Sequence, residues 1–421
     1  MGDCLYTIMV KPLYFPTAIP TAIPTAIPPA IPTAIPTAIP TAIPTAVLMR
    51  QGSGKVISLD TTTGAERWRT DTNDAASGDT FSMAAGLGYV VTATVGSSGC
   101  QGECRVIALD PSTGAIVWTF DVGVDESPGD KADNGQRSAE ERHDVISSVQ
   151  RDGDVKPVGA YNMMVALVEC ATHGKVAVFS NSVGKVYKLD LATGELLWTT
   201  DALPSAGFTT GGAIVGPDDT VYAVSNLGAT VGFESLTVSH TGVVSAHALS
   251  TGALKWRIDL GLGNEANSAP SIGPISGRAS RLALVVAVGM NPAVPQNLVK
   301  PADGTSGAPR RAYTLALDPS DGSLLWNYTM PLWHGAAAGD SFARVCLPDS
   351  SANVAIDGTG TVFIPHEDGL VYGIRDANGD GAIGEGEVRS YDLGNALQGS
   401  PAIVPGMLVV APCNGVAAWI K

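Results

Sequence analysis

The segment 376–387, with the sequence DANGDGAIGEGE, has the spacing of a calcium-binding loop. Asp376, Asn378 and Asp380 place side-chain oxygens at positions 1, 3 and 5, and Glu387 stands at position 12, where a bidentate carboxylate closes such a site. Calcium takes about six to eight hard oxygen ligands, and these residue types supply such oxygens at alternate positions. The pattern predicts a Ca2+ site.

The remaining positions of the loop agree with this interpretation. Ala382 at position 7 offers its backbone carbonyl, and Gly381 at position 6 permits the sharp turn that the loop needs there. Gly384 at position 9 leaves room for a water ligand, and Ile383 at position 8 is an apolar anchor. The alternative is a glycine-rich acidic turn that binds no ion.

The segments on either side of the loop have the pattern of strands. LVYGIR (370–375) enters the loop and VRSYDL (388–393) leaves it, and neither has the apolar period of an amphipathic helix. A calcium sensor needs a pair of helices that opens when the ion binds, so the sequence argues against a sensor. We therefore expect a structural ion that stabilises the connection between two strands.

A motif made of a strand, a polar turn and a second strand with tryptophan recurs five times. The copies are KVISLDTTTGAERW (55–68), RVIALDPSTGAIVW (105–118), KVYKLDLATGELLW (185–198), VVSAHALSTGALKW (243–256) and AYTLALDPSDGSLLW (312–326). Glycine precedes tryptophan by four residues in every copy, and Asp precedes that glycine by four residues except in the fourth copy, which has Ala248. The calcium-type loop lies where a sixth copy would have its turn.

This repeat predicts an all-β fold. Runs such as VIALD alternate like half-buried strands, Asp and Ser/Thr side chains bond the backbone of the turn, and glycine accepts a positive φ. A further pair of strand-like runs precedes each copy, which gives units of about four strands and the pattern of a β-propeller. We expect about seven blades, and six or eight also fit. A partial blade at each end of the chain would let one end complete the sheet of the other.

The first 46 residues have a different composition from the rest of the chain. Between Pro16 and Ala46 a proline stands at nearly every fourth position, in repeats of Pro-Thr-Ala-Ile, which excludes helix and interior strand. The expected state of residues 1–46 is an extended, disordered leader, with the propeller at 47–421. The leader is interpreted either as a spacer or proline-rich ligand, or as an expanded coding repeat or misassigned start without a role.

Composition and charge limit the classes of function. The net charge of −15 argues against nucleic-acid binding, because an acidic surface repels phosphate. No apolar run reaches the roughly 18–20 residues of a transmembrane helix, and the start lacks a clear signal peptide. The cysteines are too sparse for a disulfide scaffold, and their pairing and the compartment stay open. They are Cys4, Cys100, Cys104, Cys170, Cys346 and Cys413.

The segments ALDPSTGAIVW and KLDLATGELLW resemble the repeats of the pyrroloquinoline quinone (PQQ)-like propeller family. The resemblance covers about residues 47–421. It implies that each tryptophan packs between adjacent blades and that the Asp–Thr–Gly turn locks the corner. The family includes quinoprotein alcohol dehydrogenases and a non-enzymatic lipoprotein of the outer-membrane β-barrel assembly machinery, so it also favours an extracytoplasmic or secreted protein.

The family's dehydrogenase site does not map onto this chain. The resemblance implies PQQ held near the axis under a disulfide of two adjacent cysteines, but the sequence has no Cys-Cys pair. We therefore assign no catalytic residue and do not expect PQQ. The His366-Glu367-Asp368 segment has the pattern of a solvated hairpin tip. The polar, mostly acidic insertion at 121–154 is interpreted as a partner-binding or mouth-covering loop, or as a solvated insertion. The proline-rich insertion at 290–313 is interpreted as lining the same face.

The sequence thus predicts a monomeric, non-enzymatic propeller scaffold with one structural Ca2+. It would bind a protein or other ligand through its loop face. The alternative is a PQQ-dependent quinoprotein oxidoreductase, which PQQ binding and a central set of Ca2+ ligands would distinguish from the scaffold.

Overall fold

The computed structural model describes residues 46–51, 55–72, 83–94, 105–122, 164–201, 203, 206–207, 209–228, 240–275, 278–289, 311–332, 350–397, 399–404, 406–412 and 417–420. These residues form 27 β-strands and one turn of 3-10 helix at Glu385–Glu387, and they contain no α-helix. The all-β prediction is confirmed. Residues 1–45 of the predicted leader lie outside the described residues, and its last residue, Ala46, begins the first strand.

The strands form seven antiparallel sheets, which follow one another along the chain. The first sheet contains β1 (Ala46–Gln51), β2 (Lys55–Asp60) and β3 (Glu66–Asp71). The second contains β4 (Met83–Gly86), β5 (Tyr89–Thr94), β6 (Arg105–Leu109) and β7 (Ile116–Asp121). The third contains β8 (Ala166–Cys170), β9 (Gly174–Ser180), β10 (Val186–Asp190) and β11 (Leu196–Thr199).

In the fourth sheet, two short strands pair with the same neighbour: β12 (Ala206–Gly207) and β13 (Ala213–Val215) both pair with β14 (Thr220–Leu227), and β15 (Thr241–Ala248) and β16 (Leu254–Leu262) complete the sheet. The fifth contains β17 (Ser271–Ile275), β18 (Arg278–Gly289), β19 (Ala312–Leu317) and β20 (Leu324–Thr329). The sixth contains β21 (Ala355–Ile356), β22 (Val362–Pro365), β23 (Leu370–Ile374) and β24 (Val388–Asp392). The seventh contains β25 (Ala402–Val404), β26 (Met407–Val410) and β27 (Ala417–Ile420).

The first and seventh sheets have three strands each within the described ranges. Strand pairing between these two sheets is not among the pairs that the described residues form. The closure of the ring and the exact number of blades therefore stay predictions.

Buried side chains join each sheet to the next. In the second sheet, β6 is buried from Val106 to Leu109, whereas β7 alternates between exposed and buried residues. One core cluster combines Trp118 of β7 with Phe179 of β9 and Tyr187 of β10. Burying each large apolar side chain contributes about 1.5–3 kcal/mol, so the stacking of sheets face to face supplies most of the favourable free energy.

The sheets are arranged with their first strands at the centre. The first strands of neighbouring sheets touch one another, β4 with β8 and β17 with β21. The tryptophan-bearing fourth strands stand at the opposite edge of each four-stranded sheet. The first strands therefore line the axis and the fourth strands form the rim, as in a propeller.

The repeated turn has the hydrogen bonds that its sequence predicts. In the second sheet, Oδ1 of Asp110 accepts the backbone N–H groups of Ser112 and Thr113, both at 2.9 Å, and both hydroxyls. These bonds, that from the Ser112 hydroxyl first, lower the pKa of Asp110 to about 2. Gly114 then takes a φ of 74°, which a residue with a Cβ rarely adopts. The turn is thus fixed by the charged aspartate and closed by glycine.

The turns of the second to fifth sheets each pack on the tryptophan of the preceding sheet. Nε1–H of Trp118 donates to the carbonyl of Leu191 at 2.9 Å, and a Cβ added to Gly194 would lie 2.7 Å from Cδ2 of Trp118. Bonds of the same length repeat at three further interfaces. The full set of pairs is Trp68–Pro111, Trp118–Leu191, Trp198–Leu249 and Trp256–Pro319. The packing that the family resemblance implied is therefore present.

The two ends of the sheets differ in their connections. The connections between the third and fourth strands of a complete sheet, such as 110–115 and 191–195, lie at one end, which we call the turn face. The second-to-third connections, such as 181–185 and 366–369, and the connections between sheets lie at the other end, the mouth face. The six longest internal segments outside the described ranges all join strand ends on the mouth face. They are 73–82, 95–104, 123–163, 229–239, 290–310 and 333–349.

The glycine–tryptophan contact can be separated from glycine's backbone preference by two substitutions in the third sheet. Gly174 and Gly194 have φ of 67° and 75°, but a Cβ at Gly174 would meet nothing within 4 Å. We expect Gly174→Ala to cost about 1–2 kcal/mol of unfolding free energy through backbone strain. Gly194→Ala should cost about 1–3 kcal/mol more through overpacking against Trp118. Denaturant unfolding of both variants measures the difference. Equal losses of unfolding free energy would contradict a role for the packing of the turn glycine on tryptophan.

Candidate functional site

The predicted calcium loop connects two paired strands on the turn face. Ile374 at the end of β23 pairs with Val388 at the start of β24, and the N–H of Arg375 donates to the carbonyl of Glu387 at 2.9 Å. The loop therefore replaces the Asp–Thr–Gly turn of the sixth sheet. Its flanks are strands, as the sequence predicted, and a helix pair of the sensor type is absent from the described residues.

Asp376 organises the first half of the loop. Its side chain is 5% exposed. Oδ1 accepts the N–H of Gly379 at 2.8 Å and Oδ2 accepts the N–H of Gly381 at 3.1 Å. Gly381 has a φ of 83°, which explains the glycine at position 6. The carboxylate at position 1 is thus held inside the loop by backbone donors.

Asn378 and Asp380 form an exposed pair in the middle of the loop. Oδ1 of Asn378 accepts the N–H of Asp380 at 2.8 Å, and Nδ2 of Asn378 donates to Oδ2 of Asp380 at 2.9 Å. Oδ1 of Asp380 accepts the N–H of Ala382 at 2.8 Å. These bonds keep the predicted ligands at positions 3 and 5 next to each other.

Glu387 ties the end of the loop back to its beginning. Oε1 accepts the N–H of Ala377 at 2.7 Å, and Oε2 accepts the N–H of Gly384 at 2.9 Å. The hydrogen bond from the N–H of Gly384, and then that from Ala377, lower the pKa of Glu387, although the like negative charge of Asp380 raises it. The carboxylate at position 12 is therefore charged near neutral pH and reaches both ends of the loop.

The loop contains the right donors for calcium but does not gather them around one point. Asp376, Asn378, Asp380, Ala382 and Glu387 all lie in one closed loop, and their oxygens are the hard ligands that Ca2+ takes. Among the described residues, no three His, Cys, Asp or Glu side chains are grouped as metal ligands. The loop carboxylates bond backbone N–H groups instead. Ion binding therefore requires these side chains to turn toward a common centre, and the site stays a prediction.

The loop leaves a buried donor unsatisfied on the neighbouring sheet. Trp326 of β20 is 2% exposed, and its Nε1–H has no acceptor within the part of the chain that the structure describes. The other tryptophans of the series donate to a turn carbonyl of the next sheet, but here the next sheet carries the loop 376–387. An unsatisfied buried donor costs about 1–3 kcal/mol.

The mouth face carries a polar turn that is buried, although the sequence pattern predicted an exposed one. His366, Glu367 and Asp368 are 1%, 1% and 8% exposed, so the prediction of a solvated hairpin tip is wrong. The turn packs inward because the N–H of Glu367 donates to the carbonyl of Ser350, which lies just before the first strand of the same sheet. Hydrophilic residues in a turn are usually solvated, and only packing against this connection buries them.

Asp368 is the best-bonded member of this turn. Oδ2 accepts the hydroxyl of Tyr372 at 2.6 Å, Oδ1 accepts the N–H of Leu370 at 2.9 Å, and Nδ1 of His366 lies 3.1 Å from Oδ1. Burial raises the pKa of Asp368, but the interactions with His366, Tyr372 and Leu370 outweigh it, and the pKa is lower than usual. The buried carboxylate therefore stays charged at neutral pH.

A second buried polar group lies between β14 and β17. Nδ2 of Asn226 donates to Oδ1 of Asn267 at 2.7 Å, and Nδ2 of Asn267 donates to Oε2 of Glu265 at 3.2 Å. Nδ1 of His240 lies 3.6 Å from Oε1 of Glu265. Sequence analysis missed this group, and its only signal is the polar run before β17, which has no strand periodicity.

Asn353 links sheets across the axis near the mouth face. Its Oδ1 accepts the N–H of Ala269 at 2.6 Å, and its Nδ2 donates to Oγ of Ser400 at 2.9 Å and to Sδ of Met164 at 3.4 Å. These partners lie just before the first strands of the fifth, seventh and third sheets. A side chain of the sixth sheet therefore occupies the centre at this level.

Several predicted features fall outside the described residues. The insertion 121–154 is described only at Asp121 and Val122, and most of 290–313 is likewise outside. Of the cysteines only Cys170 is described, as a buried free thiol. Within the described ranges, no helix has the length and apolarity to cross a membrane.

A model of PQQ-type repeats, described as outer membrane protein assembly factor BamB, matches residues 33–418. The chain belongs to this family. No curated protein matches the sequence. The family assignment agrees with the resemblance that the repeated turns indicated.

Solved structures give the same fold at low identity. BamB from Moraxella catarrhalis is 16% identical, with coverage of 90% of this chain and 82% of its own and a TM-score of 0.48. The Dos1 propeller is 11% identical over 89% of this chain and 75% of its own, with a TM-score of 0.52. A europium-containing methanol dehydrogenase is 13% identical over 89% and 74%, with a TM-score of 0.52. At these identities, the last two show the propeller fold alone.

The bond between Tyr372 and Asp368 can be tested by removing one hydroxyl. Tyr372→Phe should lower the unfolding free energy by about 1–3 kcal/mol at neutral pH, because it removes a donor from a buried carboxylate. The loss should shrink as pH falls from 3.8 through the lowered pKa of folded Asp368, because the charged acceptor is then protonated.

Tyr328→Phe is the matched control for this test. The ring of Tyr328 lies 6.4 Å from that of Tyr372 between centroids, so the control removes a neighbouring hydroxyl and leaves the Asp368 bond in place. Thermal melts across acidic and neutral pH compare the variants. Equal and pH-independent losses would argue against a special role of the carboxylate.

Proposed function

We propose that this chain is a non-enzymatic propeller scaffold that binds a protein partner through its mouth face. The BamB description of the family supports a role in assembling other proteins, and the two faces support the choice of surface. Apart from the loop 376–387, the turn face is built from short turns that lock the sheets. The mouth face is where the long connections begin and end, and loops positioned by a rigid scaffold commonly carry binding.

The central observation for a scaffold is that side chains bond one another across the axis. Asn353 bridges Ala269, Ser400 and Met164 near the mouth face. A planar cofactor bound near the axis would have to displace these contacts. Binding on the rim and on the connections above it leaves them intact, so the arrangement favours a partner on the outside of the mouth face.

The two ends of β16 offer a matched test of the proposed surface. Leu262 at the mouth end and Leu254 at the turn end are 75% and 58% exposed leucines of one strand. Leu332, which follows β20 in the connection to the sixth sheet on the same face, is 54% exposed. Leu262→Lys, alone or with Leu332→Lys, should weaken partner binding by about tenfold or more, or about 1.4 kcal/mol, while Leu254→Lys should not. Chemical cross-linking and mass spectrometry on host extract identify the partner, and calorimetry with that purified partner measures the dissociation constants.

Two outcomes would contradict this proposal. Loss of binding in Leu254→Lys but not in Leu262→Lys would place the interface on the turn face. Reduction of a dye acceptor by simple alcohols after addition of PQQ would favour the alternative, a quinoprotein oxidoreductase. The buried Glu265, Asn267 and Asp368 near the mouth are the residues to substitute first in that case.

We further propose that the loop 376–387 holds one structural Ca2+. Asp376, Asn378, Asp380 and Glu387 would supply side-chain oxygens, and Ala382 its carbonyl. The ion would neutralise the carboxylates and fix the corner between β23 and β24. Folding with this ion suits a compartment rich in calcium, outside the cytosol.

Calcium removal tests the ion site directly. A ligand at about 100 times its dissociation constant stabilises the folded state by about 2.7 kcal/mol, so millimolar Ca2+ should raise the melting temperature relative to chelator. Asp376→Ala or Glu387→Ala should abolish this difference. Glu385→Ala, an exposed acid in the same loop outside the ligand positions, should retain it. The same melting temperature with Ca2+ and with chelator in the unmodified chain would refute the site.

A further inference from the structure

The interface between the fifth and sixth sheets is the exception in a series of otherwise identical interfaces. At four earlier interfaces an indole N–H of one sheet donates to a turn carbonyl of the next. At this one, Trp326 is buried and its Nε1–H has no acceptor in the described ranges. Asp376 takes the place of Pro111, because the N–H of Arg375 bonds the carbonyl of Glu387 as the N–H of Asp110 bonds that of Ala115, but within the described ranges the carbonyl of Asp376 does not receive the indole bond. The common lock is therefore incomplete here.

The loop 376–387 nevertheless contacts the fifth sheet. A Cβ on Gly381 would lie 2.9 Å from the carbonyl of Leu325, the neighbour of Trp326. Ile383 packs against the core cluster that contains Trp326 and Ile374. Position 6 of the calcium-type loop thus closely approaches the neighbouring sheet, and position 8 packs on the core that the two sheets share.

These contact positions alternate with the proposed ligands. Gly381 lies between Asp380 and Ala382, and Ile383 follows Ala382. The carboxylates now bond backbone N–H groups and must turn inward to share an ion. Ion binding at these ligands would therefore move or stiffen Gly381, which lies next to Leu325, and Ile383, which packs on the core that the two sheets share.

We propose that the ion-loaded loop replaces the tryptophan hydrogen bond as the lock between the fifth and sixth sheets, so that Ca2+ controls how firmly these two sheets are held together. This inference rests on the calcium site proposed above. The other four interfaces need no ion, because each is closed by a hydrogen bond between uncharged groups. The loop would thus hold its interface firmly only when the ion is bound, whereas the four earlier interfaces are held by hydrogen bonds without an ion.

Tryptophan emission of the full chain tests this role. Ca2+ should change the emission of the unmodified protein, and Trp326→Phe should abolish that change. Trp256→Phe is the matched control, since Trp256 holds the equivalent position one interface earlier and bonds Pro319. It should retain the calcium-induced change. An undiminished change in Trp326→Phe would overturn the proposal, because the ion would then be sensed elsewhere.

Hydrogen exchange gives a second readout that needs no variant. Ca2+ should slow amide exchange in β20 and β23 and leave β16, which has its indole bond, unchanged. Calorimetry on the same samples separates the two proposals. No heat of Ca2+ binding would refute the site itself, whereas binding with equal exchange in β20 and β16 would refute only the lock.

Discussion

The packing of a tryptophan indole on the glycine turn of the next sheet is the interaction on which the rest of this structure depends. The indole fills the gap between two sheets, and its N–H pairs with a carbonyl that the turn presents. The turn can present that carbonyl because aspartate bonds its backbone and glycine accepts a positive φ. A side chain on glycine would occupy the place of the indole, as the 2.7 Å approach at Gly194 shows. The conformation of the turn and the stacking of the sheets therefore depend on the same residues.

The packing of tryptophan on these turns also divides the molecule into two faces. Because the locking turns occupy one end of the second to fifth sheets, long insertions there would disturb the stacking. The opposite end has no such constraint, and the long connections other than the loop 376–387 start from it. Two buried polar groups lie at that end: the turn His366–Asp368, and the pair of Asn226 with Asn267. Strands leave the sheets there, so backbone and side-chain groups must satisfy one another's hydrogen bonds.

The sixth sheet shows what happens when the turn is exchanged for a longer loop. The strands still pair, because Ile374 and Val388 keep the register of a hairpin. The turn carbonyl does not receive the indole bond, and among the described residues Trp326 keeps its packing without a hydrogen-bond acceptor. Gly381 approaches Leu325 of the fifth sheet, and Ile383 packs on the core that the two sheets share. The geometry of one loop thus joins a candidate ion site to an interface between sheets.

The sequence by itself determined the all-β class, the strand–turn–strand units and the composition of the loop, because these depend on local periodicity and on residues a few positions apart. The turn at Asp110–Gly114 and the strands that flank 376–387 follow directly from such patterns. Only the tertiary structure decided that His366, Glu367 and Asp368 are buried, that Asn353 bridges the axis and that the indole of Trp326 finds no acceptor in the described part of the chain. Each of these depends on residues from different sheets or on a connection far along the chain. Burial and hydrogen bonding between distant segments leave no periodic signal in a single sequence.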